Sequence, residues 1–201
     1  WVEALGADAE HTLSSAMAAA SVVVLGPGLG RGAWAQQVIG ALASYDGPLV
    51  IDADGLYWLA DTAQARTLKN RGAPLFLTPH AGEAARLLEC STGEILSNQR
   101  QAVIDMTERF NATCLLKGPG TIIGTRMGQA ICAHGNPGMA SAGMGDVLAG
   151  LVGSLIAQQP SSPDMAFTPG VLLHSAAADQ PPEKIGMRGL TASTIIAHTP
   201  A

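Results

Sequence analysis

Charge is scarce in this sequence. Of 201 residues, 11 are Lys or Arg and 16 are Asp or Glu, 13% of the chain together. A disordered chain needs far more charge to stay solvated, so a compact globular protein is expected. The net charge of −5 provides no basic surface for nucleic acid, which is not expected as a partner. Cysteine is sparse too. Cys90, Cys114 and Cys132 are odd in number, far apart and without metal-ligand spacing. They read neither as a disulfide framework nor as a metal site, and a cytoplasmic location is expected. No apolar run approaches the length of a membrane span, so no membrane partner is expected. An initiator Met and a signal peptide are also missing, and the chain opens on Trp1. It reads as a piece of a longer protein.

What the chain does have is apolar residues, at 47%, with 24 Gly and 12 Pro to punctuate them. The length suffices for one domain with a real core. Glu3 to Ala20 is Ala-rich and predicted helical. Ser21–Leu25 is a short β-branched run that reads as a strand buried on both faces. Further strands are predicted over Pro48–Asp52, Leu75–Thr78 and Cys114–Lys117. Helices are predicted over Ala33–Ala43, Leu56–Lys69, Ala81–Leu88 and Ser97–Phe110. Thr121–Gly124 and Ala130–Ala133, with Gly128 between them, read as a hairpin. Val147–Gln158, Met165–Asp179 and Leu190–His198 read as three closing helices, the first two joined by the polar loop Gln158–Pro163. Strands alternating with helices predict an α/β fold in three α/β/α layers. Its sheet is mostly parallel, with helices on both faces and an antiparallel hairpin at one edge.

Ligands of open α/β sheets bind beyond the carboxyl ends of the strands. The Gly-rich and polar motifs gather at those ends. Gly26-Pro27-Gly28-Leu29-Gly30 lacks the spacing of a dinucleotide fingerprint and reads either as part of a binding turn or as a plain βα turn. Asp52 and Asp54 could meet Mg²⁺, a ribose hydroxyl or only their own turn. In Thr78-Pro79-His80-Ala81-Gly82-Glu83, His80 and Glu83 could bind substrate and organise hydrated Mg²⁺, although an early-helix Glu also simply suits the helix dipole. Lys117 in Lys117-Gly118-Pro119-Gly120-Thr121 could pair with a phosphate or stand solvated before the hairpin. His174 lies on an apolar helical segment and reads as a packing residue.

The most specific stretch runs from Gly135 to Gly150. Its glycines, Gly143 and Gly145 among them, permit φ > 0 and close approach of a ligand just before an apolar helix. A helix N-terminus offers free N–H groups and a positive dipole end to an anion. Asp146 stands there either as an N-cap or as a general base. Loop and acid together are the equipment of phosphoryl transfer.

Taken in order, these five motifs resemble those of the ADP-dependent (S)-NAD(P)H-hydrate dehydratases, a branch of the ribokinase-like superfamily, over nearly the whole chain. The resemblance implies repair of hydrated NADH or NADPH with ADP as co-substrate and Mg²⁺ as cofactor, releasing AMP and phosphate. It makes Asp146 the catalytic acid/base. It puts Gly28, Gly30, Asp54, His80 and Asp146 along the hydrate. ADP would be held by Lys117, Gly118, Pro119, Gly120 and Thr121, and by Asn136, Pro137, Gly138, Met139, Ala140, Ser141, Ala142, Gly143, Met144 and Gly145, with Glu83 meeting Mg²⁺ through water. It further implies a homo-oligomer, a possible epimerase partner domain, and a single domain over residues 1–201 that lacks the family's first strands. Tyr57 departs from the Asn common in the family. A ribokinase-like kinase of a vitamin precursor and a non-catalytic nucleotide-binding module stand as the alternatives.

Overall fold

The computed structural model describes residues 9–60, 68, 72–180 and 185–199. Four strands, β1 (Val23–Leu25), β2 (Leu49–Ile51), β3 (Leu75–Leu77) and β4 (Thr113–Leu116), pair in parallel in chain order. Two more, β5 (Ile122–Thr125) and β6 (Gly128–Ile131), continue the sheet antiparallel, giving the order β1-β2-β3-β4-β5-β6. The mostly parallel sheet with an antiparallel edge hairpin is as the strand spacing predicts. Gly128 lies inside β6, paired with Thr125, and not between the strands.

Alternation along each strand assigns the two faces. Leu49, Ile51, Leu77, Cys114 and Leu116 enter the larger core. It packs against α2 (Ala33–Ala41), α3 (Ala53–Ala60), α4 (Ala81–Leu88), α5 (Thr92–Ser97) and α6 (Gln99–Phe110). Val50, Phe76 and Leu115 face the other way, onto α7 (Met144–Gln158) and α8 (Pro163–Ala178), where Phe76 stacks on Phe167 at 5.3 Å. α1 (Ala9–Ala19) precedes β1, and α9 (Ala192–His198) closes the described chain against the ends of α7 and α8.

Three expectations are corrected. β1 is not buried on both faces, because Val24 is 38% exposed. The single helix expected to begin at Ser97 divides at Asn98, whose backbone leaves helical geometry at φ −144°, so α5 and α6 are separate. α7 starts at Met144, three residues earlier than the apolar run suggests, because Gly143 takes the left-handed N-cap conformation, φ 83°. Gly145 and Asp146 therefore belong to the helix, and Gly145, unlike Gly143, does not need positive φ. The predicted Leu56–Lys69 helix is observed as α3 to Ala60, and its residues 61–67 and 69 lie outside the described set, as does 1–8.

Candidate active site

The carboxyl ends of β1 to β4 meet the first turn of α7. Asp52, the residue after β2, is 2% exposed and receives a hydrogen bond from Lys117 Nζ at 2.7 Å. Burying one charge requires the other, and this pair satisfies both. Lys117 follows β4, and its N–H donates to Pro79 O at 2.8 Å, which sets it beside His80. Its ammonium also lies 3.8 Å from Glu83. A Cβ placed on Gly145 would sit 3.4 Å from both Lys117 Nζ and Asp52 Oδ2. The Asp52–Lys117 pair thus lies directly under the α7 N-terminus.

His80 and Glu83 close the α4 end as a reciprocal capping box. His80 Nδ1 accepts from the N–H of Gly82 and Glu83, and Glu83 Oε2 accepts from the His80 N–H at 2.8 Å. Because Nδ1 is an acceptor, the neutral ring carries its proton on Nε2, 3.4 Å from Glu83 Oε1. Among the described residues no group of three His, Cys, Asp or Glu side chains can hold a metal ion. The oxygens of Glu83 are already turned to His80 and Lys117. A Mg²⁺ ion carried in on a nucleotide would keep phosphate and water oxygens around it, and Glu83 would meet it only through water.

On the β1 side, Gly28 (φ 68°) and Gly30 (φ 72°) face open space where a Cβ would point. Asp54 ties this turn down: Oδ2 accepts from the Gly30 N–H at 3.1 Å and Oδ1 from Arg31 Nε at 3.2 Å. Both its oxygens are therefore engaged within the protein.

The loop before α7 is pinned from behind. Asn136 Oδ1 accepts from the Gly138 N–H at 2.9 Å, and its amide donates to Ala178 O at 2.8 Å and Asp179 Oδ1 at 3.3 Å. Asp179 also accepts from the Gly135 N–H at 2.9 Å, with His134 at 3.6 Å. A Cβ on Gly138 would meet Met187 O at 2.2 Å, so loop and chain 187–190 touch backbone to backbone. Ser141 donates to Gly138 O and Leu190 O. Pro137, Met139, Ala140 and Ala142 complete this run. Gly118, Pro119 and Gly120 stand exposed after β4, closed by Thr121 Oγ1 donating to Gly118 O.

Asp146 is exposed, in the first turn of α7, and has no hydrogen-bond or ion-pair partner among the described residues. It is not the N-cap, a place held by Gly143. Helix geometry leaves the N–H groups of Gly145 and Asp146 without intrahelical acceptors. Free carboxylate and free donors thus stand side by side above the half-buried Lys117 ammonium.

Asp179 and the Asp52–Lys117 pairing have no local signature in the sequence, because the partners are 43 and 65 residues apart. His174 is 4% exposed with Nε2 enclosed and lacking a hydrogen-bond partner. Burial lowers its pKa, with the positive Lys117 adding to that effect and the Met144 backbone opposing it.

A family profile described as NAD(P)H-hydrate dehydratase matches residues 2–201. The bifunctional NAD(P)H-hydrate repair enzyme of Coxiella burnetii is 41% identical over 191 residues, 94% of this chain and 38% of its own length. That of Escherichia coli K12 is 39% identical over 92% of this chain and 35% of its own. The chain therefore spans less than two fifths of the curated relatives it matches. Among solved structures, a ribokinase-like superfamily protein of Enterococcus faecalis aligns at TM-score 0.79 and 26% identity, covering 98% of this chain and 67% of that one. The ADP/ATP-dependent NAD(P)H-hydrate dehydratase of Bacillus subtilis, co-crystallised with ATP/Mg²⁺, aligns at 0.76 over 92% of this chain and 67% of its own. At 24% identity it speaks to the fold.

Proposed function

Because the chain belongs to the NAD(P)H-hydrate dehydratase family, we propose that it supplies the ADP-dependent dehydration of NADH and NADPH hydrates within a longer repair protein. The observation that carries this reading is Asp146, exposed and unpartnered beside the free N–H groups of α7 and over Lys117.

The hydroxyl on the hydrated nicotinamide ring is a poor leaving group. Asp146 takes its proton as the oxygen attacks the terminal phosphorus of ADP, and the bond to AMP breaks. The N–H groups of Gly145 and Asp146 and the Lys117 ammonium meet the charge that develops on the transferring phosphoryl. The C–O bond of the phosphorylated ring then breaks, with the ring nitrogen supplying electrons and phosphate leaving. Loss of a proton from the neighbouring ring carbon restores the dihydronicotinamide. Mg²⁺, when bound, neutralises phosphate charge. Gly28 and Gly30 offer an open, side-chain-free wall along which the ring can lie, and His80, at the end of β3, is its further contact. Asp54 keeps that wall in shape through Gly30.

Asp146→Asn tests the assignment. The amide keeps the shape but cannot take a proton. Repair in the full-length protein, followed by the return of dihydronicotinamide absorbance, is expected to fall by roughly 10²–10⁴-fold. The thermal midpoint should stay close to the parent's, since only a first-turn charge worth about 0.3–1 kcal/mol is lost. A normally folded variant turning over near the parent rate would move the chemistry away from Asp146.

A further inference from the structure

Three side chains that this chemistry leaves unused converge at the β1–β3 end of the crevice. Tyr57 lies half-buried on α3. The Arg31 guanidinium, from the turn after β1, stands 4.0 Å from the Tyr57 ring centroid, and that of Arg86, from α4, stands 4.9 Å from the same point. Two positive groups are thus held no more than about 9 Å apart, against their mutual repulsion. The ring that gathers them is itself fixed. Tyr57 packs edge-to-face on Trp58 at 5.7 Å, and Trp58 Nε1 donates to Gly30 O at 3.1 Å. The cluster is therefore built onto the same turn that forms the Gly28–Gly30 wall.

Among the described residues its charge is not balanced. Asp54 engages Arg31 through Nε, and the terminal nitrogens of that guanidinium have no partner among the described residues. Arg86 has no carboxylate partner among them either, because Glu83, one turn earlier on α4, is turned to His80 and Lys117. Among the described residues, two cations here face one carboxylate, in a chain whose net charge is −5. The Arg31 side chain is 55% exposed and Arg86 is exposed, so both heads are open to a ligand. Guanidinium forks match phosphate oxygens two at a time.

We propose that Arg31 and Arg86, gathered on Tyr57, form a subsite for the monoester phosphate that distinguishes NADPH hydrate from NADH hydrate, and that this chain prefers the former. The inference rests on the hydrate-repair reading above. A monoester phosphate is close to a dianion at neutral pH, which suits two guanidiniums. The cluster borders the Gly28–Gly30 wall through Arg31 and Trp58 and reaches on to Arg86 of α4, so it takes a part of the dinucleotide that extends past the ring.

The test compares both hydrates in the full-length protein and in its Arg86→Gln, Arg31→Gln and Arg86→Lys variants. The parent is expected to show the higher kcat/KM with NADPH hydrate. Each Gln variant should lower that preference at least fivefold, chiefly through KM for NADPH hydrate, and Arg86→Lys should lose less. A preference that does not move, or an equal loss on both hydrates, overturns the proposal. The second result would make the arginines ligands of the diphosphate that both substrates share. Calorimetry with NADP⁺ and NAD⁺, in the presence of saturating ADP, reads the subsite without turnover. Tighter NADP⁺ binding that Arg86→Gln abolishes supports it, and equal binding of the two by the parent overturns it. A parent that repairs neither hydrate rejects the functional reading, while the calorimetric difference still decides the subsite.

Discussion

At Gly26 the chain leaves β1 with φ 131°, and a Cβ there would lie 1.7 Å from Asp52 O and 2.8 Å from the Gly55 N–H nitrogen. The same Asp52 carries the carboxylate that holds Lys117. Gly26→Ala is therefore expected to cost roughly 2–4 kcal/mol of stability, from strain plus displaced backbone. Gly28→Ala, also at positive φ but with open space around it, should cost only about 1–2 kcal/mol. Denaturant midpoints of the two variants check this, and equal midpoints would show that Gly26 is not where β1, β2 and α3 are locked together. Ala53 adds to the picture, with a non-glycine φ of 47° at the start of α3, held by the Gly55 N–H donating to Asp52 O.

The element on which the site depends is the loop from Gly135 to Gly143 with α7. Its N-cap has no side chain to satisfy the first turn, which leaves those donors for a ligand. The loop owes its shape to Asp179 at the end of α8, through Gly135, Asn136 and His134. Asp179→Ala removes acceptors for two hydrogen bonds worth about 1 kcal/mol each. KM for the nucleotide should rise by about tenfold, with a smaller effect on kcat and a thermal midpoint lowered by roughly 4–8 °C. Asp179→Asn, which retains one acceptor oxygen, should recover part of the affinity. An unchanged nucleotide KM in Asp179→Ala would mean that the loop holds its shape alone. Met144, Ala177, Ala178, Leu190 and Ile195 pack the same junction from below, so the aim of α7 is also set by apolar burial.

For the whole molecule, a two-faced sheet leaves few polar groups inside, and His174 between α7 and α8 is one of them. Burial depresses its pKa, so the folded imidazole stays neutral where the unfolded one begins to charge. Below the unfolded value of about 6.5 the unfolded chain binds the extra proton. Stability then falls as pH drops, until the depressed folded value is reached, with a slope of up to about 1.4 kcal/mol per pH unit. Urea unfolding at pH 7.5, 6.5 and 5.5 should show this slope in the parent and lose it in His174→Asn. Identical slopes in both proteins would assign the acid loss to other groups. Cys114, its thiol pushed up to about 12 by burial, stays out of titration and thiol chemistry in this range.

The α/β class, the parallel strands, the edge hairpin and the motifs at strand ends follow from the sequence alone, because alternation, β-branched runs and glycine turns act over a few residues. The order of the motifs along the chain likewise suffices to point to the family. Tertiary structure decided which groups each motif residue meets. Lys117 looks like a free cation in sequence, and only the fold brings Asp52, 65 positions away, to 2.7 Å from it. Asp54 stands beside a candidate ligand turn in sequence, and only the fold shows its oxygens meeting Gly30 and Arg31. Asp146 looked equally able to cap, and only the left-handed turn at Gly143 took that place and left the carboxylate free. The exposed Val24 and the Arg31–Tyr57–Arg86 cluster were hidden for the same reason. Burial and charge pairing are set by residues distant in the chain, and a local pattern carries no information about which of them will arrive.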